Sequence, residues 1–206
     1  MQDHRQISRG FADPVFESQA AFRALLAALS EPGTIQTVPA ALAPPDGLGL
    51  AAATTLLTLA DYETPIWLPE LLRSGAAGAW LRFHCGAALV PAPGEALFAV
   101  LAGTEAPRLS EFAIGTDQYP DRSATVLVPC TAFEGGDPVT LSGPGIADRR
   151  TIAPAGLRPG FWQEMVENAA LYPLGVDVVL CHGEALIGLP RSTEIAEGAM
   201  TRPETR

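Results

Sequence analysis

Lysine is absent from this 206-residue chain, so all thirteen of its basic side chains are arginines. An arginine guanidinium keeps its proton in ordinary water. Without lysine the chain cannot hold pyridoxal phosphate or a ketone as a Schiff base, cannot complete a Walker A phosphate loop and cannot supply an amine general base. Any chemistry must come from Arg, Asp, Glu, His, Ser or Cys side chains, or from a partner.

Cysteine is also scarce. Cys85, Cys130 and Cys181 are an odd number of thiols and lie tens of residues apart, which fits neither a disulfide framework nor a Cys-x-x-Cys metal knuckle. They are typical of buried thiols in a reducing cytoplasm. Neither His4 nor His182 joins a metal-ligand spacing, so we expect no metal and no cofactor.

Clustered positive charge and long apolar runs are missing as well. The net charge is -10 and Arg149-Arg150 is the only adjacent pair of arginines, so no basic stripe is available to follow a nucleic-acid backbone. No apolar run approaches the ~18 residues of a membrane helix, and the first fifteen residues lack the apolar core of a signal peptide. We expect a soluble, cytoplasmic protein that binds neither nucleic acid nor membrane.

The length and composition predict one domain. The chain is 48% hydrophobic, enough for a sound core without disulfides or metals. Residues 13–192 carry the apolar patterns and form the predicted domain. Residues 1–12 and 193–206 are polar, without an apolar period, and are predicted to be tails.

Helical and strand patterns alternate along this domain. Predicted helices cover residues 14–30, with Asp13 as cap, the small and apolar run 50–60, and residues 159–171, which have one apolar face. Residues 80–85 alternate bulky and charged side chains, as a half-buried strand does. Residues 176–181 and 185–189 predict a closing hairpin. Further strands are predicted at 34–38, 65–68, 96–101, 125–128 and 139–141. The order indicates an α/β fold, with a mixed sheet and flanking helices.

Residues 59–65 place two carboxylates and hydroxyls between a predicted helix and a strand. Such junctions of α/β folds often face ligands, which makes Asp61 and Thr64 candidates. Asp and Thr also cap backbone groups at helix ends, and that structural interpretation is favoured.

Arg82 and His84 are two residues apart, which places them on the same face of a predicted strand. Together they could hold an anion and move a proton. A solvated pair on a sheet face gives the same sequence pattern, and we favour that alternative.

Residues 141–146, Leu-Ser-Gly-Pro-Gly-Ile, form a glycine-bearing turn followed by Asp148 and Arg149. Backbone amides here, with Ser142 and Arg149, could face a phosphate. The segment has neither the lysine of a P-loop nor the three-glycine dinucleotide spacing, so a tight turn that requires positive φ is the favoured interpretation.

Asp177 is the one charge in an apolar strand run. A buried charge needs a partner, and Arg191, at the far end of the predicted hairpin, is the candidate. A structural or interface ion pair is favoured over ligand contact.

Taken together and in this order, the segments resemble the H-subunit family (PhnH) of the bacterial carbon-phosphorus lyase. The resemblance runs from about residue 14 to residue 195, and colinear blocks over nearly the whole chain are more specific than any one of them. The blocks that carry it are residues 22–33, 55–61, 64–68, 81–84, 141–146, 172–177 and 189–193.

The resemblance implies a subunit of the phosphonate-degrading core complex, which works with subunits G, I and J. With subunit L, that complex is associated with displacement of adenine from ATP by a phosphonate, giving a ribose 1-phosphonate 5-triphosphate. It also implies the fold of the large domain of pyridoxal-phosphate-dependent transferases without the cofactor, and the lack of lysine agrees. A homodimer is a further expectation, and no catalytic residue carries over.

Two hypotheses follow. The first is a non-catalytic or co-catalytic subunit that docks onto other lyase subunits. The alternative is a small standalone enzyme, or a nucleotide- or phosphate-binding protein, that uses Arg82, His84, Arg149 and Asp61 around an anion. Convergence of those four side chains on one pocket would favour the alternative.

Overall fold

A computed structural model of the chain describes residues 7–39, 41–103 and 106–197. Within these ranges a seven-stranded mixed sheet has the order β1-β9-β8-β5-β4-β2-β3, and a three-stranded sheet has the order β10-β6-β7. The strands are β1 Ile35–Thr37, β2 Ile66–Trp67, β3 Leu89–Val90, β4 Phe98–Val100, β5 Thr125–Pro129, β6 Val139–Ser142, β7 Arg150–Ile152, β8 Asp177–His182, β9 Ala185–Leu189 and β10 Glu194–Glu197.

The large sheet is parallel in its centre and antiparallel at one side. β8, β5, β4, β2 and β3 run parallel. β9 pairs antiparallel with β8, and β1 pairs antiparallel with β9. The predicted closing hairpin is present as β8 and β9, joined at Gly183. The mixed α/β architecture predicted from the sequence is therefore confirmed.

Helices cover one face of the large sheet. They are α1 Pro14–Ser30, α2 Leu50–Leu59, α3 Glu70–Ser74 and α4 Ala76–Cys85. Buried side chains of α1, α2 and α4, among them Leu25, Leu56 and Trp80, pack in one core with the sheet residues Leu127 and Val179. We call these four helices the helix layer.

The opposite face is covered by mixed structure. α5, Phe161–Ala169, and the three-stranded sheet pack there on a second core, with Phe161, Met165 and Leu141 against Val126 and Val178. Successive strand residues point to opposite faces, which is why Val178 and Val179 belong to different cores. We call α5, the small sheet and the short turn at residues 109–111 the mixed layer.

α1 begins where the sequence predicted it. The Asp13 carboxylate accepts a hydrogen bond from the Phe16 backbone N–H, and Pro14 fills the first helical position. α2 also matches its predicted run, because small and apolar side chains suit a helix that is buried on almost every side. α5 is shorter than predicted and begins only at Phe161.

Residues 80–85 are helical, so the strand predicted there is wrong. The segment is the second half of α4, which ends at Gly86 in the left-handed conformation. Trp80 and Leu81 are buried whereas Arg82 and Phe83 are exposed. One buried stripe on a short helix imitates the alternation of a strand when only six residues are compared.

Both predicted tails are shorter than expected where the structure describes them. Residues 194–197, placed in the C-terminal tail, pair with β6 as the antiparallel strand β10. At the other end, the Ser8 carbonyl accepts a hydrogen bond from the Trp80 indole at 2.9 Å, and Gly10 is buried. Backbone pairing and one hydrogen bond from an aromatic side chain hold these polar segments. Neither contact produces a hydrophobic period in the sequence, so the segments were predicted to be tails. Residues 1–6 and 198–206 lie outside the described residues.

Candidate functional site

The parallel strands of the large sheet end at one edge, where open α/β sheets bind their ligands. A cleft of about 250 Å³ lies at this edge. Leu101 and Gly103 follow β4 on one side of it, the end of β5 contributes Val128 and Pro129, and residues 156–161 close it before α5. We call this the edge cleft.

The edge cleft combines apolar walls with one charged side chain. Leu101, Val128, Leu157 and Phe161 supply aliphatic and aromatic surface, and Arg158 is the only charged residue among the described residues that line it. Apolar walls with a few fixed polar groups are typical of small-molecule sites. The arrangement suits a small ligand with an apolar part and an anionic part.

Arg158 is fixed by a carboxylate in α5. Its Nη2 donates to Glu164 Oε2 at 2.6 Å and to the Pro107 carbonyl at 3.2 Å. The side chains of Arg158 and Glu164 are only 15% and 8% exposed. Among the described residues, the buried Arg158 Nε has no hydrogen-bond partner. The guanidinium is therefore held in place while part of its donor capacity stays unused.

Glu164 also organises the neighbouring loop. Its Oε2 accepts a hydrogen bond from the Leu109 backbone N–H at 2.9 Å, and its Oε1 lies 3.7 Å from Arg108 Nε. Arg108 in turn pairs with Glu167 at 2.9 Å on the next turn of α5. This network attaches the segment after β4 to α5, so both sides of the edge cleft are tied to the same helix.

Two glycines of the segment before α5 have separate structural reasons. A Cβ at Gly156, where φ is +82°, would lie 2.7 Å from the Thr131 side chain. Gly160, with φ +79°, is the N-cap of α5, and a Cβ there would meet nothing within 4 Å. Sequence reasoning missed this segment, although Arg158 between closely spaced glycines at a helix start was the available signal.

Asp177 and Arg191 form the ion pair that their sequence pattern suggested. Arg191 Nη2 lies 2.6 Å from Asp177 Oδ2, and the Arg191 Nε and backbone N–H both donate to Oδ1. Arg191 Nη1 also donates to the Pro120 carbonyl at 2.5 Å. Asp177 begins β8, so the pair lies at the amino edge of the parallel strands, opposite the edge cleft.

The side chains of Asp61 and Thr64 form hydrogen bonds within their own turn. Asp61 Oδ1 accepts from the Glu63 N–H at 2.8 Å, and Thr64 Oγ1 accepts from the Asp61 N–H at 2.6 Å. These are the local turn contacts of the structural interpretation. A role of either residue in ligand or interface contact stays a prediction.

Arg82 and His84 do not share a face. Two residues apart on a helix differ by about 200° around the axis, so the common face expected from a strand is lost. Arg82 is exposed, whereas the His84 ring lies 4.7 Å from the Trp80 ring and its Nε2 lies 3.0 Å from the Ser8 carbonyl oxygen. A carbonyl oxygen only accepts, so this contact is a hydrogen bond in the tautomer whose Nε2 is the donor.

The glycine-bearing turn at residues 143–145 has steric reasons for its glycines. A Cβ at Gly145 would lie 2.1 Å from the Ser30 carbonyl oxygen, and one at Gly143 would lie 2.8 Å from the Ser192 carbonyl oxygen. Ser142 Oγ donates to Glu194 Oε2 at 3.3 Å, and Arg149 is exposed. The geometry supports the tight turn, and a phosphate contact at Ser142 or Arg149 stays a prediction.

The four residues of the standalone-enzyme hypothesis have separate surroundings. Asp61 bonds within its own loop, His84 faces the segment around Ser8, and Arg149 is in the turn between β6 and β7. None of the four lines the edge cleft or a second, open groove of about 750 Å³ beside Trp80. The convergence that would favour the standalone-enzyme alternative is absent from these two cavities.

The three thiols are weakly acidic. Burial raises the pKa of Cys85 and of Cys130 to about 11, and it raises the pKa of the fully buried Cys181 further. A thiol of this kind is protonated at neutral pH and is a poor nucleophile or metal ligand. Within the described ranges, no group of three His, Cys, Asp or Glu side chains could hold a metal ion, and no helix is long and apolar enough to cross a membrane.

Exposed apolar side chains are concentrated on one side of the molecule. Val15, Phe16, Phe22 and Leu26 of α1 are between 48% and 72% exposed. Val15, Phe22 and Leu26 recur at helical spacing and form one outward stripe. Further exposed examples in or beside the helix layer are Ile35, Tyr62, Leu71 and Phe83. Exposed large apolar side chains that share one face of a surface helix are typical of protein interfaces.

The proteins that resemble this chain in sequence have related names. Residues 9–196 match the family described as bacterial phosphonate metabolism protein (PhnH). A Rhizobium meliloti (strain 1021) protein named alpha-D-ribose 1-methylphosphonate 5-triphosphate synthase subunit PhnH is 43% identical over 189 residues, which cover 91% of this chain and 94% of the relative. The putative C-P lyase subunit protein HtxG of Stutzerimonas stutzeri is 35% identical over 184 residues, covering 86% and 85%.

Proposed function

The chain belongs to the bacterial phosphonate metabolism protein (PhnH) family, and on that premise we propose that it is a subunit of the carbon-phosphorus lyase core complex in organic phosphonate catabolism. In this role it supports the formation of alpha-D-ribose 1-methylphosphonate 5-triphosphate from ATP and methylphosphonate. The observation that carries the proposal is the family match, which takes in the five α-helices of the described residues and reaches into β10.

The surface of the helix layer supports a docking role. α1 exposes Phe22 and Leu26 to solvent, although the same helix buries Ala21 and Leu25. Large apolar side chains on both sides of a helix at the molecular surface are expected where a second protein covers the outer side. The proposed partners are core subunits G, I and J, and a second copy of the chain is a further candidate.

The described side chains favour a non-catalytic or co-catalytic subunit. The thiols are half-buried or buried and weakly acidic, and the His84 ring contacts Trp80 and Ser8. The lack of lysine excludes a pyridoxal-phosphate aldimine, so no absorption band of one is expected after incubation with that cofactor. We also propose that the protein works in the cytoplasm.

Co-expression with subunits G, I and J tests the proposal. The complex is purified through a tag on this chain and weighed by native mass spectrometry. A stable hetero-oligomer is expected, and the chain alone is expected to be inert toward ATP plus methylphosphonate. Turnover by the solitary chain, or a lone monomer or homodimer in the presence of expressed partners, would contradict the proposal.

A further inference from the structure

We propose that the edge cleft binds an alkylphosphonate, a small oxyanion that carries an apolar substituent. The inference rests on the proposed function, because phosphonate is named as part of the product of a 43% identical relative. It goes further by assigning a ligand-binding role to this chain itself, with Arg158 as the residue that recognises the anion.

The dimensions of the edge cleft favour a small ligand. Its volume of about 250 Å³ is below the 300–1,000 Å³ of sites for drug-sized molecules. A nucleoside triphosphate exceeds that space, whereas a phosphonate with a short alkyl group fits. A Cβ at Gly103 would meet nothing within 4 Å, so there is open space beside the backbone after β4.

The walls match the two halves of an alkylphosphonate. Leu101, Leu157 and Phe161 offer apolar surface to an alkyl group. Arg158 supplies a positive charge at the wall, and a guanidinium recognises tetrahedral oxyanions through its forked N–H donors. An inorganic phosphate would use only the second of these features.

Arg158 is suited to bind an anion in spite of its ion pair. A guanidinium has five N–H donors, and the Arg158 Nη2 group makes both of the hydrogen bonds described above. Glu164 lies within 4 Å of two guanidinium groups, Arg158 at 2.6 Å and Arg108 at 3.7 Å, so its one negative charge is shared. The buried pair fixes the side chain at the wall of the cleft, which lowers the entropy cost of binding.

Binding of methylphosphonate to the full chain tests the inference. Dissociation constants are measured by titration calorimetry, and phosphorus NMR line broadening provides a second readout, with inorganic phosphate as the comparison anion. Leu157→Trp fills the cleft without removing a charge, and Arg158→Gln removes the charge. Each is expected to weaken methylphosphonate binding by at least about tenfold, Arg158→Gln through the loss of one charge-assisted contact and Leu157→Trp through the loss of space for the ligand.

The matched control is Arg122→Gln. Arg122 stacks on the Tyr119 ring at 4.1 Å and does not line the cleft, so its replacement is expected to leave binding unchanged. If Arg158→Gln fails to fold because Glu164 loses its partner, Leu157→Trp alone decides. The melting temperature of each variant shows whether it is folded.

The outcomes separate this inference from the proposed function. Methylphosphonate binding that Leu157→Trp weakens by at least about tenfold supports the edge cleft as the site. No binding, binding that Leu157→Trp leaves intact, or equal affinity for inorganic phosphate overturns the assignment. Wild-type assembly with subunits G, I and J is measured on the same preparations. Assembly without ligand binding contradicts only this inference, and ligand binding without assembly contradicts only the proposed function.

Discussion

The two layers that cover the large sheet are stabilised in different ways. The helix layer packs small and apolar side chains such as Ala52 and Leu56 against the sheet, and it exposes further apolar side chains outward. The mixed layer and its edges contain the partly buried ion pairs Arg158–Glu164 and Asp177–Arg191. Apolar side chains on the outside of a layer suit contact with a second protein. Loops beside a cleft are held in place by hydrogen bonds and ion pairs, as in the mixed layer.

Removal of Trp80 is expected to have the largest effect on stability. Trp80 is 1% exposed in the core of the helix layer, and its indole N–H anchors the Ser8 carbonyl. Trp80→Ala should lower the free energy of unfolding by about 3–5 kcal/mol. Urea denaturation measures the loss. A change below about 1 kcal/mol would show that apolar packing does not dominate this layer.

Breaking the ion pair at the start of β8 is expected to have the second-largest effect on stability. Asp177→Asn leaves the Arg191 guanidinium, 15% exposed, without its counter-charge. Because both side chains are partly solvated, we expect a loss of about 2 kcal/mol, less than for a fully buried pair. Glu70→Gln is the matched control, because Glu70 pairs with Arg73 on the exposed surface of α3, where the loss should stay within about 0.5 kcal/mol. Equal losses of unfolding free energy for Asp177→Asn and Glu70→Gln, measured by urea denaturation, would contradict the expected difference between the two ion pairs.

Polar replacements on the outer side of α1 should separate stability from assembly. Phe22→Ser with Leu26→Ser is expected to change the free energy of unfolding by no more than about 0.5 kcal/mol, because both side chains are already exposed. If partners cover this stripe, affinity for them should fall by at least about tenfold. Native mass spectrometry of co-expressed complexes measures that loss. Leu171→Ser, an exposed apolar position after α5, is the control, and an equal loss there would argue against a helix-layer interface.

The two layers are expected to differ least in the acidity and reactivity of their cysteine thiols. Cys85 packs against the helix-layer core and Cys130 against the mixed-layer core, and burial raises both pKa values to about 11. Folding therefore favours the protonated thiols. Their contribution to stability is complete below the unfolded pKa of 9.0 and is lost as the pH rises toward 11. Alkylation followed by mass spectrometry should show both cysteines reacting slowly at pH 7 and faster above pH 9. Rapid reaction of one alone at pH 7 would contradict this symmetry.

The sequence predicted the elements whose signal is local. Asp13 with Pro14 marked the start of α1, and apolar runs marked α2 and the hairpin of β8 and β9. α4 was mistaken for a strand because a short buried stripe has no distinct period. β10 was missed because its stability comes from pairing with β6, a contact between residues far apart in the sequence.

The candidate site was less predictable than the fold. Asp177 and Arg191 could be paired in advance because a lone charge in an apolar strand requires a partner. The glycines around Arg158 were a local signal, but the edge cleft itself could not be predicted, because it depends on chain segments that meet only through the order of the strands. The pattern of residue types along the chain does not predict the order of the strands in the sheet.

The last turn of α1 is held from two directions. The Ala28 carbonyl oxygen would lie 2.5 Å from a Cβ at Gly188 of β9, and the Ser30 carbonyl oxygen 2.1 Å from one at Gly145. Arg150 at the start of β7 adds a hydrogen bond of 2.5 Å to the Pro32 carbonyl just beyond the helix. A side chain at Gly188 or Gly145 would collide with the backbone of α1, so these two glycines set how closely the helix approaches β9 and the turn between β6 and β7.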